Sequence, residues 1–249
     1  MSLSSSSQYH QKVSTWDYPS GIEKVKNIID IKKLKNKKIL DIGCADGRFA
    51  KEIYDLTKTK LYGVETNKKA LKKAKKHLHA KYCDIEKGLP YFDDFFNVIF
   101  FLDTLEHLYD LKNVLKHISR AMSQKATLVL SIPNSFDLKN RLRILKGEEF
   151  VHWAHTKYGH RSYDYAHIRF LRVKDAIDLL RSEKLYVHKI QYNYNTGGLL
   201  PTRIFPAFFR RFLLYCFPNL LSGKFVILAK KNPCKKIKKI YLDKTNPGL

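Results

Sequence analysis

The run Asn97-Val98-Ile99-Phe100-Phe101-Leu102 is apolar at five consecutive positions, and this constrains the fold more than any other feature of the chain. A strand with one face in water alternates polar and apolar residues, whereas a strand covered on both faces has no reason to alternate. A second such run, Ala126-Thr127-Leu128-Val129-Leu130-Ser131, lies downstream. Shorter β-rich runs at Lys38-Ile39-Leu40-Asp41-Ile42, Lys60-Leu61-Tyr62-Gly63-Val64 and Ala80-Lys81-Tyr82-Cys83 are separated by amphipathic stretches at residues 48–56, 68–78 and 111–122. Strands and helices in alternation predict an α/β fold: a doubly wound, mostly parallel sheet with helices on both faces.

The 249 residues suffice for one domain with insertions. The expected division is a flexible N-terminal arm at 1–20, a single domain at 21–231, and a basic C-terminal tail at 232–249. Regularity lapses after Pro133-Asn134 and returns with a helix at 173–183 and strands at 186–194 and 224–229, so insertions are placed at about 134–170 and 197–222. The apolar stretch 204–221 is broken by Pro206, Arg210, Arg211 and Pro218, which argues against a membrane-spanning helix. On a helix, Arg203, Arg210 and Arg211 would share one side opposite Phe and Leu, a pattern suited to peripheral contact with an anionic membrane or to core packing. Four scattered cysteines form no metal-ligand spacing, and the start of the chain lacks the pattern of a secretory leader, so a cytoplasmic setting is expected. The formal net charge of +24 suits an acidic partner, although lysine-rich solvated helix faces would also account for it.

The first strand runs directly into Asp41-Ile42-Gly43-Cys44-Ala45-Asp46-Gly47-Arg48, followed by a helix. Small residues at such a turn let backbone approach a ligand closely, and the helix N-terminus adds free N–H groups. A dinucleotide fingerprint would require glycine at positions 43, 45 and 48, where this chain has Gly43, Ala45 and Arg48. The pattern D-x-G-x-A-x-G instead resembles the first motif of class I S-adenosylmethionine-dependent methyltransferases, with Ala45 where that family usually has glycine. Gly63-Val64-Glu65 supplies the acidic residue that the family has at the end of its second strand, where a carboxylate accepts from ribose hydroxyls. Tyr82-Cys83-Asp84-Ile85 is similar to the third motif, in which an acidic side chain faces the adenine amine.

The resemblance implies a seven-stranded Rossmann-like sheet with its last strand antiparallel. It also implies S-adenosylmethionine as cofactor, held by Asp41, Gly43, Cys44, Ala45, Gly47, Glu65, Thr66, Cys83, Asp84 and Asp103.

Reacting groups in open α/β sheets gather beyond the carboxyl ends of the strands, here Leu102-Asp103-Thr104-Leu105-Glu106-His107-Leu108. Because the sulfonium is already an activated methyl donor, the protein must align the acceptor and, where needed, take its proton. His107 is the candidate base, and His160 with Arg161, in a stretch crowded with His and Tyr, is placed at the acceptor. Alternatively, His107 and Glu106 serve only to pin the following helix. Asp103, Glu106 and His107 are also similar to the E-x-x-E-H metal-holding arrangement of ubiquinone-pathway O-methyltransferases and small-RNA 2′-O-methyltransferases, with His167 a counterpart to the further histidine of the RNA enzymes. No metal is assigned on this basis.

The order Pro133-Asn134, a basic stretch, then His167-Ile168-Arg169-Phe170 resembles methyltransferases of polysaccharide and lipid-linked glycan pathways. The expected function is methyl transfer to oxygen or nitrogen of a small-molecule or lipid/glycan-linked acceptor. Metal-assisted RNA 2′-O-methylation is the alternative enzyme, with nucleic acid ranked behind because no separate RNA-binding module is evident. A cofactor-binding scaffold without turnover is the non-enzyme alternative.

Overall fold

Every residue of Ile39–Ile42 is buried, and this segment forms β1 at the centre of a mixed sheet. The structure is a computed structural model that describes residues 21–148, 167–194 and 206–242. In chain order the strands are β1, β2 (Tyr62–Glu65), β3 (His79–Tyr82), β4 (Phe96–Leu102), β5 (Met122–Pro133), β6 (Tyr186–Tyr194), β7 (Ser222–Lys230) and β8 (Lys238–Leu242). Their order across the sheet is β3-β2-β1-β4-β5-β7-β6-β8. β7 runs antiparallel to both neighbours, and the other pairs are parallel. The helices are α1 (Gly21–Val25), α2 (Arg48–Thr57), α3 (Lys68–Ala74), α4 (Leu111–Ala121), α5 (Leu138–Leu145), α6 (Val173–Ser182), α7 (Ala207–Cys216) and α8 (Pro218–Leu221).

β4 shows why the apolar run cannot alternate. Ile99 and Phe101 enter one core with Val114, Leu115 and Ile118 of α4, while Val98 and Phe100 enter a second core with Val25 and Ile53 on the other face. Burying each such side chain contributes about 1.5–3 kcal/mol. The helices start where the sequence supplies caps: Asn67 accepts the Ala70 N–H at the head of α3, and Asp110 accepts that of Asn113 at the head of α4.

Two expectations are corrected. The sheet has eight strands among the described residues, not seven, because Lys238–Leu242 lies within the stretch read as a tail and pairs parallel with β6. The charged Lys238 and Lys239 remain exposed, as suits an edge strand. The second correction concerns α7. Arg210 is 2% exposed while Arg211 stands in water beside Phe208 (74% exposed), Phe212 (58%) and Tyr215 (65%), so the two arginines do not share a side. α7 packs against β6 and β8, and Leu214 joins the core beside them, which turns Arg210 inward. Arg203 lies outside the described residues.

Candidate functional site

The turn after β1 is held by backbone. The N–H groups of Gly43 and Cys44 donate to the Val64 carbonyl at 2.9 and 3.1 Å, which ties the tip of β1 to the tip of β2. Gly43 and Gly47 adopt φ of 71° and 84°, in the left-handed region that favours glycine. A Cβ on Gly43 would sit 2.6 Å from Thr104 Oγ1, and one on Gly47 would sit 3.0 Å from the Ala74 backbone. Ala45, where the resembled family has glycine, is also left-handed at φ 47°, at a cost of about 1–2 kcal/mol.

Glu65 ends β2 and closes on this turn. Its Oε2 accepts from Ala45 N at 2.9 Å, and its Oε1 accepts from Thr66 N at 2.8 Å and Asn67 N at 2.7 Å. The carboxylate is thereby fixed between the glycine turn and the head of α3. Asp41, buried at the end of β1, has its carboxyl pushed up to about 8 by burial and then by the charge of Glu65, with Lys24 acting in the opposite sense. Cys44 is buried, and desolvation raises its thiol well above the ordinary value. Cys83 donates to the Gly88 carbonyl at 3.1 Å, with its thiol raised to about 12 by burial and then by the charge of Asp84. Asp84 caps a short turn of 3-10 helix, accepting from Glu86 N at 3.2 Å.

Beyond β4, Asp103 is partly buried, its side chain 11% exposed, at φ 48°. Its Oδ2 accepts from Lys24 Nζ at 2.8 Å and Lys224 Nζ at 2.6 Å, and its Oδ1 accepts from Ser131 Oγ at 2.7 Å. Burial would raise this carboxyl, but the ammonium groups of Lys224 and Lys24 outweigh burial and hold it well below the usual carboxylate range. The clamp joins α1, β4, β5 and β7. Neither Lys24 nor Lys224 was legible as a site residue, because they stand 79 and 121 positions from Asp103 and carry no local motif.

The Leu105–His107 turn places Glu106 and His107 in the interior. Glu106 is 1% exposed, its Oε2 has no hydrogen-bond partner among the described residues, and burial followed by the charge of Asp103 pushes its carboxyl up to about 8. The segment at 167–170 is pinned against this turn: Ile168 and Arg169 donate backbone N–H groups to the Glu106 carbonyl at 2.9 and 3.1 Å, and the Arg169 side chain donates to the carbonyls of Leu108 and Tyr109. His167 is thereby brought edge-on to His107, with ring centroids 4.7 Å apart, and its Nε2 lies 3.9 Å from Glu106 Oε1. One potential ligand atom from each of Glu106, His107 and His167 lies within 4.8 Å of the others. Asp103 is outside this group. His160 and Arg161 lie outside the described residues.

These features gather at the carboxyl ends of β1, β2 and β4. A family model described as a methyltransferase domain matches residues 22–183. An uncharacterised protein of Methanocaldococcus jannaschii is 30% identical over 146 residues, 52% of this chain and 61% of that protein. A ubiquinone biosynthesis O-methyltransferase of Thiobacillus denitrificans is 27% identical over 125 residues, 47% of this chain and 53% of that enzyme. The matched segments therefore span only about half to three fifths of these two relatives. Among solved structures, a S-adenosylmethionine-dependent methyltransferase of Thermotoga maritima, described as a possible histamine N-methyltransferase, superposes with a TM-score of 0.57 at 19% identity, covering 86% of this chain and 88% of that one. At that identity the likeness is one of fold.

Proposed function

The chain belongs to the methyltransferase-domain family, and from that premise we propose that it transfers a methyl group from S-adenosylmethionine to an oxygen or nitrogen of a small-molecule or lipid/glycan-linked acceptor. The observation that carries the reading is the joint formed by the Asp41–Gly47 turn and Glu65, in which backbone N–H groups and a fixed carboxylate meet at two neighbouring strand tips. Glycine at 43 and 47 lets the turn pack closely on Thr104 and Ala74, which holds its backbone at the tip of β1 where an adenosyl ligand would lie. When bound, the donor supplies a methyl group activated on sulfur. Glu65 would accept from the ribose hydroxyls, Asp84 with Cys83 would hold the adenine, and Asp41 and Asp103 would serve the amino-acid end. His107 would take the acceptor proton, with His160 as the second catalytic candidate.

Calorimetry with S-adenosylhomocysteine tests the donor site, and a labelled-methyl screen over extract fractions tests the acceptor. Absence of binding would overturn the whole reading. Binding without turnover on any fraction would favour the scaffold alternative.

A second reading has an observation of its own. The unpartnered buried Glu106 Oε2 beside His107 and His167 is a nitrogen- and oxygen-rich group suited to a divalent transition metal, which would lower the pKa of an acceptor hydroxyl. Manganese titration followed by paramagnetic resonance, with Glu106→Gln as control, tests it. No binding by the wild-type protein would remove the reading. An RNA acceptor would further show binding that falls steeply with salt, as phosphate neutralisation requires.

A cytoplasmic placement with peripheral membrane contact belongs to the same proposal. No helix among the described residues is long and apolar enough to cross a membrane.

A further inference from the structure

A helix lying on a protein surface normally buries its apolar stripe and presents its charges to water. α7 departs from this: it buries Leu214 together with Arg210 and leaves an aromatic stripe in water. Phe208, Phe212 and Tyr215, spaced four and three residues apart, stand exposed in one stripe with Arg211 beside them, and exposed Phe217 follows the last turn. Arg210 faces the body of the protein.

The stripe is tied to the end of the sheet that carries the candidate site. α7 and α8 connect β6 to β7, and Asn134, just beyond β5, donates from Nδ2 to the carbonyls of Asn219 at 2.7 Å and Ser222 at 2.6 Å. Tyr215 packs against Tyr241 of β8 with ring centroids 5.3 Å apart, and Lys239, two residues before Tyr241 and so on the same face of that strand, is exposed.

We propose that α7 docks the protein on an anionic lipid surface, with Phe208, Phe212 and Tyr215 entering the headgroup region and Arg211 and Lys239 meeting lipid phosphates. Aromatic side chains next to basic ones are the combination for which apolar burial and attraction to a negative surface act together. With ten residues α7 lies in the interface and does not cross it. A second copy of the chain is the poorer occupant, because it would bring another surface of net charge +24 against this one. The inference deepens the lipid-linked acceptor reading and rests on it only for its purpose, since docking needs no methyl transfer.

The test is co-sedimentation of the full chain with phosphatidylcholine vesicles, with and without phosphatidylglycerol, beside S-adenosylhomocysteine calorimetry on the same samples. Binding is expected only to the anionic vesicles and should weaken with salt. Phe208→Ser with Phe212→Ser should weaken it at least about tenfold, given the apolar area removed, and leave nucleoside binding unchanged. Arg211→Glu with Lys239→Glu should reduce it independently. These residues are exposed, and the thermal melt of each variant confirms that it folds. Three results would overturn the proposal: no sedimentation of the wild-type chain, equal sedimentation of the serine variant, or a dimer that the serine variant dissolves. Loss of nucleoside binding with sedimentation intact would count against the proposed function alone.

Discussion

Asp103→Asn isolates the clamp that holds the site together. The substitution preserves shape and a contact to Ser131 while removing the one negative charge shared by Lys24 and Lys224. Deleting one partner of a buried ion pair costs about 3–5 kcal/mol, because the other charge stays in a poorly solvated place. The lysine side chains are 13% and 28% exposed, so both ammonium groups recover part of their hydration and the lower end applies. About 3 kcal/mol lowers the melting temperature of a chain this size by roughly 6–12 °C. Lys224→Met should cost far less, since it leaves a one-to-one pair of Asp103 with Lys24. The pH dependence follows from the lowered carboxyl: its stabilisation is complete above the unfolded value of 3.8 and is lost as pH falls through the folded value. Melts followed by circular dichroism from neutral to strongly acid pH should show a constant gap between wild type and Asp103→Asn, closing only at the acid end. A variant that melts with the wild type at neutral pH, or Lys224→Met costing as much as Asp103→Asn, would refute the shared-charge account.

Ala45→Gly should raise the melting temperature by about 2–4 °C, since glycine relieves about 1 kcal/mol of left-handed strain; an unchanged melt would show that the turn carries none. Glu65→Ala should weaken S-adenosylhomocysteine binding by about 1–3 kcal/mol in calorimetry, because a charge-assisted acceptor is lost and the N–H groups of Ala45, Thr66 and Asn67 are released together. The Asp41 carboxyl, raised to about 8, keeps a proton in the folded protein that the unfolded chain gives up near 3.8, so stability should fall as pH rises between these values. Denaturant titrations of Asp41→Asn should lose that decline.

What could be read in the sequence depended on how local its cause was. β4 was legible because Val98 to Leu102 are apolar on both faces, and the turn was legible because Gly43, Ala45 and Gly47 must lie within a few residues of one another. Glu106 and His107 were legible as neighbours, and His167 joined them only through a family resemblance, since 60 residues separate it from His107. The clamp on Asp103 was hidden because its partners meet only when α1 and β7 converge on the tip of β4. The orientation of α7 was not legible, because a helical wheel does not say which side faces the protein; contacts with β6 and β8 decided that, and they separated Arg210 from Arg211. β8 escaped notice because Lys-Lys-Ile-Tyr-Leu is too charged to resemble a strand, although charge is what the rim of a sheet tolerates.

That last strand has a practical consequence for anyone shortening the chain. β8 occupies the outer hydrogen-bonding row of β6, from Lys189 to Asn193. A version ending before Lys238 would leave this row open along a strand whose Ile190 and Tyr192 are packed into the interior, and such a bare margin invites the same margin of another molecule. Trimming what looks like dispensable lysine-rich sequence would therefore be expected to yield material that clumps.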